Sequence, residues 1–167
     1  MTQDYVILVD ENDNEIGVME KLQAHQEGKL HRAFSIFIFN EKNQLLIQQR
    51  ALAKYHSAGL WANTCCSHPR PNETIKDSAN RRLFEEMGMS CDLQIKTNFI
   101  YKTQFENGLI ENELDYVLVG YSNQNPIINR EEVESYKWQY ISDIKIDVQN
   151  NPQNYASWFK IALDKVF

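Results

Sequence analysis

Between Thr74 and Met87 the residues Ile75, Ala79, Leu83 and Met87 recur at fourfold spacing, and Gly88 follows the last of them. Residues four apart share one face of an α-helix, so the segment predicts an amphipathic helix with a single apolar stripe. It should stop where glycine admits a left-handed backbone. Such a stripe needs a surface to cover. The polar side pairs Arg81 with Glu85 and Arg82 with Glu86, each four apart. On an ordinary surface helix these would be weak ion pairs. Glu73 ahead of the helix, the adjacent acids Glu85 and Glu86, and Gly88 directly after them make a more particular pattern.

The sequence around this helix reads as sheet. Tyr5 to Val9 is a β-rich run ending in the turn-prone cluster Asp10-Glu-Asn-Asp-Asn14, an opening hairpin. Ala33 to Phe39 and Leu45 to Gln49 flank Asn40-Glu-Lys-Asn-Gln44 and predict a second hairpin, after which Arg50 to Lys54 leaves the sheet. Further strands are expected at Ile95 to Gln104, Glu113 to Tyr121 and Lys137 to Ile141, the first two joined by a Glu106-Asn-Gly108 turn. Asn151-Pro152 predicts the start of a terminal helix, with Asn as cap and Pro in the first turn. Mixed strands around an internal helix, closed by a second helix, give an α+β class of the α/β/α sandwich type. A chain of 167 residues fits one domain, here 1–167.

Composition narrows the chemistry. The formal net charge of −6 argues against a nucleic-acid binder whose affinity rests on phosphate neutralisation. An anionic ligand must therefore be met locally, by a metal or by clustered cations. The start carries no basic segment followed by an apolar one, and no run approaches the roughly 18 apolar residues of a membrane span, so a soluble cytoplasmic protein is expected. Cys65, Cys66 and Cys91 are odd in number and two are adjacent, which disfavours a disulfide framework and leaves a thiol free for chemistry. Glu111 and Glu113 begin a predicted strand and project to one face, the geometry two ligands of one metal need.

Glu73, Arg81, Leu83, Glu85, Glu86, Gly88 and Met89 fall at the spacing of the Nudix box, which this segment resembles. Two positions depart from it. Ser67 stands where the box has its first Gly, and Arg82 stands where it has the Glu after its Arg. In typical Nudix hydrolases that Glu belongs to the metal cluster that activates water, so the resemblance implies the fold without the usual hydrolysis. Five further segments decide the subfamily: Glu20-Lys-Leu-Gln-Ala-His25, Leu30-His-Arg-Ala-Phe-Ser35, Arg50-Ala-Leu-Ala-Lys54, Leu60-Trp-Ala-Asn-Thr-Cys-Cys-Ser-His-Pro69 and Ile110-Glu-Asn-Glu-Leu114. In order along nearly the whole chain, they are similar to type I isopentenyl-diphosphate isomerases.

The resemblance implies a site. His25, His31, His68, Glu111 and Glu113 would bind one divalent ion, a nitrogen and oxygen set suited to Zn²⁺, Mn²⁺ or Mg²⁺. Glu86 would help hold a second Mg²⁺ arriving with the substrate diphosphate, and Lys21, Arg50, Lys54 and Arg82 would contact the phosphates. Cys66 takes the position of the catalytic cysteine, with Cys65 a buried neighbour and Cys91 inert. Tyr101 would bond Glu113 and relay its proton, and Trp158 would face a carbocation. His56 matches no ligand position and is expected to be a surface or loop residue. The implied activity interconverts isopentenyl and dimethylallyl diphosphate, with no nucleic-acid, membrane or obligate protein partner. The alternative is a Nudix hydrolase of a nucleoside or prenyl diphosphate.

Overall fold

A computed structural model describes residues 4–167. Strands β1 (Tyr5–Val9) and β2 (Glu15–Glu20) form the expected opening hairpin. The chain then turns into a helix that the sequence reading did not name, α1 (Lys21–Glu27), whose first backbone N–H groups are capped by the Glu20 carboxylate. Gly28 closes it in the left-handed region, φ 65°.

The second hairpin is not a hairpin beyond its turn. β3 (His31–Phe39) and β4 (Gln44–Arg50) share the single pair Phe39–Leu45 and then diverge. Two short strands, β5 (Trp61–Ala62) and β6 (Cys65–Ser67), occupy the gap, β5 on β4 and β6 on β3. Between them the Thr64 hydroxyl donates to Leu46 O at 2.6 Å and accepts from Ile38 N–H at 3.0 Å, spanning both diverging strands. After α2 (Ile75–Met87), β7 (Gln94–Gln104) and β8 (Ile110–Tyr121) form a long antiparallel pair. β8 runs parallel to β3 from His31 opposite Glu113 to Phe39 opposite Tyr121, and β9 (Val133–Tyr140) pairs antiparallel with β4. The sheet is therefore mixed.

Alternation along β3 separates two cores. Phe34, Ile36 and Ile38 face α2 and meet Ala79, Leu83 and Met87 of its predicted stripe, while Phe37 faces the C-terminal helices. The C-terminal end differs from the sequence expectation. β9 ends at Tyr140, and Ile141–Asn150 is a further helix, α3, which presses Ile141, Ile144 and Val148 onto the second core. Asn151 does not cap the terminal helix. It closes α3, its N–H donating to Asp147 O at 2.7 Å and its side-chain amide to Asp147 Oδ1 at 2.8 Å. Pro152–Asn154 is one 3-10 turn, and the terminal helix α4 spans Ser157–Val166. The interruption is fixed by buried Tyr155 and by Ala156 N–H donating to Trp61 O at 2.9 Å.

Candidate active site and metal centre

The functional side chains gather where β3 and β4 part. Through this opening, Arg82 and Glu86 of α2 reach a cleft that is also lined by Trp158 of α4, on the opposite layer. The cleft holds about 570 Å³ of open space.

Three imidazoles meet at its floor, from α1 (His25), the first residue of β3 (His31) and the segment leaving β6 (His68), with ring centroids 4.9–5.5 Å apart. His25 Nδ1 lies 2.7 Å from Lys21 O, and His31 Nδ1 lies 2.8 Å from Lys29 O. A carbonyl can only accept, so each Nδ1 carries a proton and Nε2 is the ring atom that can offer a lone pair. Glu113 Oε1 stands 2.9 Å from His68 Nε2, 3.4 Å from His31 Nε2 and 4.0 Å from His25 Nε2. Buried His31 Nε2 finds no hydrogen-bond partner among the described residues. One donor atom from each of the four residues lies within 4.8 Å of the others. Three imidazoles and a carboxylate, with one buried ring nitrogen unpartnered, fit a divalent cation.

Glu111 is held one step away. The Tyr101 hydroxyl donates to Glu113 Oε2 at 2.6 Å and stands 2.9 Å from Glu111 Oε2. Burial and the neighbouring Glu113 charge push the Glu111 carboxyl well above the usual range. Burial also opposes charge on Glu113, but the imidazoles of His31 and His68 beside it outweigh that and hold the carboxyl low. Tyr101 thus bridges a carboxyl that resists ionisation and one that favours it. Burial lowers His68 to about 3 and lowers His25.

Cys66 lines the cleft, half-buried, and burial pushes its thiol up. Cys65 is fully buried on the α2 side, as expected of a structural neighbour. Lys21, Arg50, Lys54 and Arg82 all line the cleft. Lys21, Lys54 and Arg82 also border an adjoining cavity with Arg70 and Arg81, which makes this the cationic end. These cations are partnered: Arg82 reaches Glu86, Glu85 at 2.7 Å and Glu132 at 3.6 Å, and Lys54 also pairs with Glu132. Glu86 in turn accepts from the buried Gln48 amide at 3.0 Å. Arg81, predicted to pair with Glu85, is fixed chiefly by Glu73, at 2.7 and 2.9 Å.

Several residues at the site were set aside or not singled out in the sequence. His56 is in a loop as expected, but it is no surface bystander: it lines the cleft beside Trp158. Asp115 is buried on the same face of β8 as Glu111 and Glu113 and accepts from Ser35 Oγ at 2.8 Å. The alternation Glu111, Glu113, Asp115 was the signal that could have found it. Glu132 and Gln48 carry no local signal.

The fold and this metal-competent site define a Nudix-domain protein, and residues 29–159 match the NUDIX domain family. Among solved structures, one from Deinococcus radiodurans superposes with a TM-score of 0.80 at 15% identity, covering 98% of this chain and all of that one. A MutT protein from Methanosarcina mazei gives 0.67 at 18% identity, covering 81% and 91% of the two chains. These likenesses concern the fold. Sequence relatives carry the resolution further. Isopentenyl-diphosphate Delta-isomerase 1 of Aromatoleum aromaticum is 51% identical over 98% of this chain and 93% of its own length. The isopentenyl-diphosphate Delta-isomerase of Pectobacterium atrosepticum is 49% identical over 96% of this chain and 90% of its own. The chain belongs to the isopentenyl-diphosphate Delta-isomerase family of Nudix-domain proteins.

Proposed function

We propose that this chain, acting as one domain, is an isopentenyl-diphosphate Delta-isomerase that interconverts isopentenyl and dimethylallyl diphosphate through a tertiary carbocation. The observation that carries this reading is the lining of one cleft by a thiol, a tyrosine-linked carboxyl pair and an indole, beside a cationic end suited to a diphosphate. Moving the double bond needs one proton added to carbon and another removed two carbons away, with no electron transferred. A site for it needs a donor, an acceptor and a wall that tolerates positive charge without supplying water.

His25, His31, His68 and Glu113, with Glu111 beside them, are the residues that would hold a resident Mn²⁺, Mg²⁺ or Zn²⁺. When bound, such an ion supplies positive charge that makes the carboxyl it holds a stronger acid. Glu113 is the group we assign to protonate the terminal alkene carbon, with Tyr101 passing it a proton from Glu111. Cys66, on the other side of the carbocation, exchanges the second proton between thiol and thiolate, and in the reverse direction the two groups exchange roles. Trp158 presents an aromatic face to the cation. Lys21, Arg50, Lys54 and Arg82 receive the diphosphate, and Glu86 would help hold a second Mg²⁺ arriving with it. Arg82 supports isomerisation over hydrolysis, since it puts a cation where a hydrolase places a metal-binding carboxylate.

No described helix is long and apolar enough to cross a membrane. A cytoplasmic setting accords with the three free thiols, and a small-molecule partner with the cleft. The test is to incubate the protein with isopentenyl diphosphate and Mg²⁺ in D₂O. Dimethylallyl diphosphate bearing deuterium on carbon is expected. Unlabelled carbon with accumulation of inorganic phosphate or diphosphate would establish the hydrolase instead.

A further inference from the structure

The cationic end of the cleft leaves the opposite end for the hydrocarbon, where Tyr55, His56, Cys66, Tyr101 and Trp158 stand. Over this end passes the connection between β4 and β5, and its His56 ring makes three ring contacts. It stacks on Phe105 with centroids 4.9 Å apart and planes at 17°, meets Trp158 at 5.9 Å and 84°, and packs edge-on against Tyr55 at 4.7 Å. Phe105 opens the β7–β8 turn, which it closes by donating to Leu109 O at 2.8 Å, and Trp158 belongs to α4. One imidazole thus joins three segments distant in sequence. Trp158 also carries the Arg50 guanidinium, 5.1 Å from its ring, and Arg50 reaches back to the His56 carbonyl at 3.4 Å.

We propose that His56 is a positioning and specificity-determining residue, which pins the β7–β8 turn and Trp158 over the hydrocarbon end and so limits the cleft to short branched chains of about five carbons. This rests on the isomerase reading for the ligand class. An aromatic ring held on two sides cannot retreat to admit another methylene without breaking its stack, so excess chain length meets a fixed wall. Burial keeps the imidazole uncharged, at about 3, so His56 adds no charge of its own to that of the Arg50 guanidinium already held against Trp158. Phenylalanine would serve the same packing. Alanine would not.

Non-reacting alkyl diphosphates read the limit by binding alone. Calorimetry in Mg²⁺ compares 3-methylbutyl with 3-ethylpentyl diphosphate in wild type, His56→Ala, His56→Phe and Phe105→Ala. Wild type should prefer the smaller ligand by at least about 10-fold, the scale at which apolar pockets discriminate added methylenes. His56→Ala and Phe105→Ala should each narrow that ratio about 5-fold or more, and His56→Phe should keep it. Phe105 sits half-buried in the β7–β8 turn at the edge of the core, so its variant removes the stacking partner while leaving the imidazole in place. An unchanged ratio in Phe105→Ala, or in a folded His56→Ala, overturns the proposal, as does a His56→Phe ratio as narrow as that of His56→Ala. Conversion of isopentenyl diphosphate by wild type is followed separately. Its absence would remove the isomerase reading while the alkyl series still reports on His56.

Discussion

Cys65 and Cys66 are chain neighbours with opposite surroundings, because successive residues of β6 point to opposite faces of the sheet. Cys65 is sealed among the α2-side apolar residues, whereas Cys66 opens onto the cleft. Cys66→Ala should lower isomerisation by about 10³-fold or more with fold and metal content intact, since a methyl group exchanges no proton. Cys65→Ala should keep most activity and lose about 1 kcal/mol of stability through a small cavity. Equal loss of activity at both positions would remove the basis for assigning Cys66. His56 offers a second test at this scale. Burial holds its folded value at about 3, against 6.5 when unfolded. Its contribution to stability is therefore full above pH 6.5 and lost as pH falls toward 3, because the unfolded chain gains a proton the folded one refuses. Relative to wild type, His56→Phe should be about 1–2 kcal/mol more favourable at pH 5 than at pH 7.5 in urea unfolding. A difference that does not change with pH would contradict this.

At the scale of elements, legibility in the sequence followed the range of the interactions. α2 was readable because its stripe and its glycine stop are local, and Gly88 indeed adopts φ 61° with its N–H on Phe84 O. The β7–β8 turn was readable for the same reason. α1 was not, since seven residues with Leu22 exposed make too short a periodic signal, and the Glu20 cap that starts it is local but not distinctive. The β3–β4 turn was read correctly, but its strands separate because β3 finds its long partner in β8, some eighty residues on, which no turn residue announces. α3 was hidden by its continuity with β9, and Asn151-Pro152 marked a real boundary whose direction was misread. Motif resemblance named His25, His31, His68 and Glu113, which the fold brings together, because it carries tertiary information that periodicity lacks. It carried none for His56, whose contacts lie with Phe105 and Trp158 across the fold.

At the scale of the whole molecule, the four metal-competent residues come from α1, β3, the exit of β6 and β8, so the centre joins the start of the chain to its middle. An ion held by all four has no counterpart in the unfolded chain, and its binding free energy adds to folding stability. At free metal near 100 times its Kd the gain is about 2.7 kcal/mol, which in a protein of this size corresponds to roughly 5–10 °C in Tm. Chelation should therefore lower Tm by that amount, and restoring Mn²⁺, Mg²⁺ or Zn²⁺ should recover it. His25→Ala and Glu111→Ala should each lower bound metal and shrink the chelator effect, the second less steeply because Glu111 meets the cluster through Tyr101. Glu86→Gln should leave both unchanged while weakening binding of the magnesium-loaded diphosphate, since Glu86 faces the cationic end with Arg82. Metal analysis and melting of the purified variants separate the two centres, and full occupancy with an undiminished chelator effect in both His25→Ala and Glu111→Ala would rule out the five-residue centre.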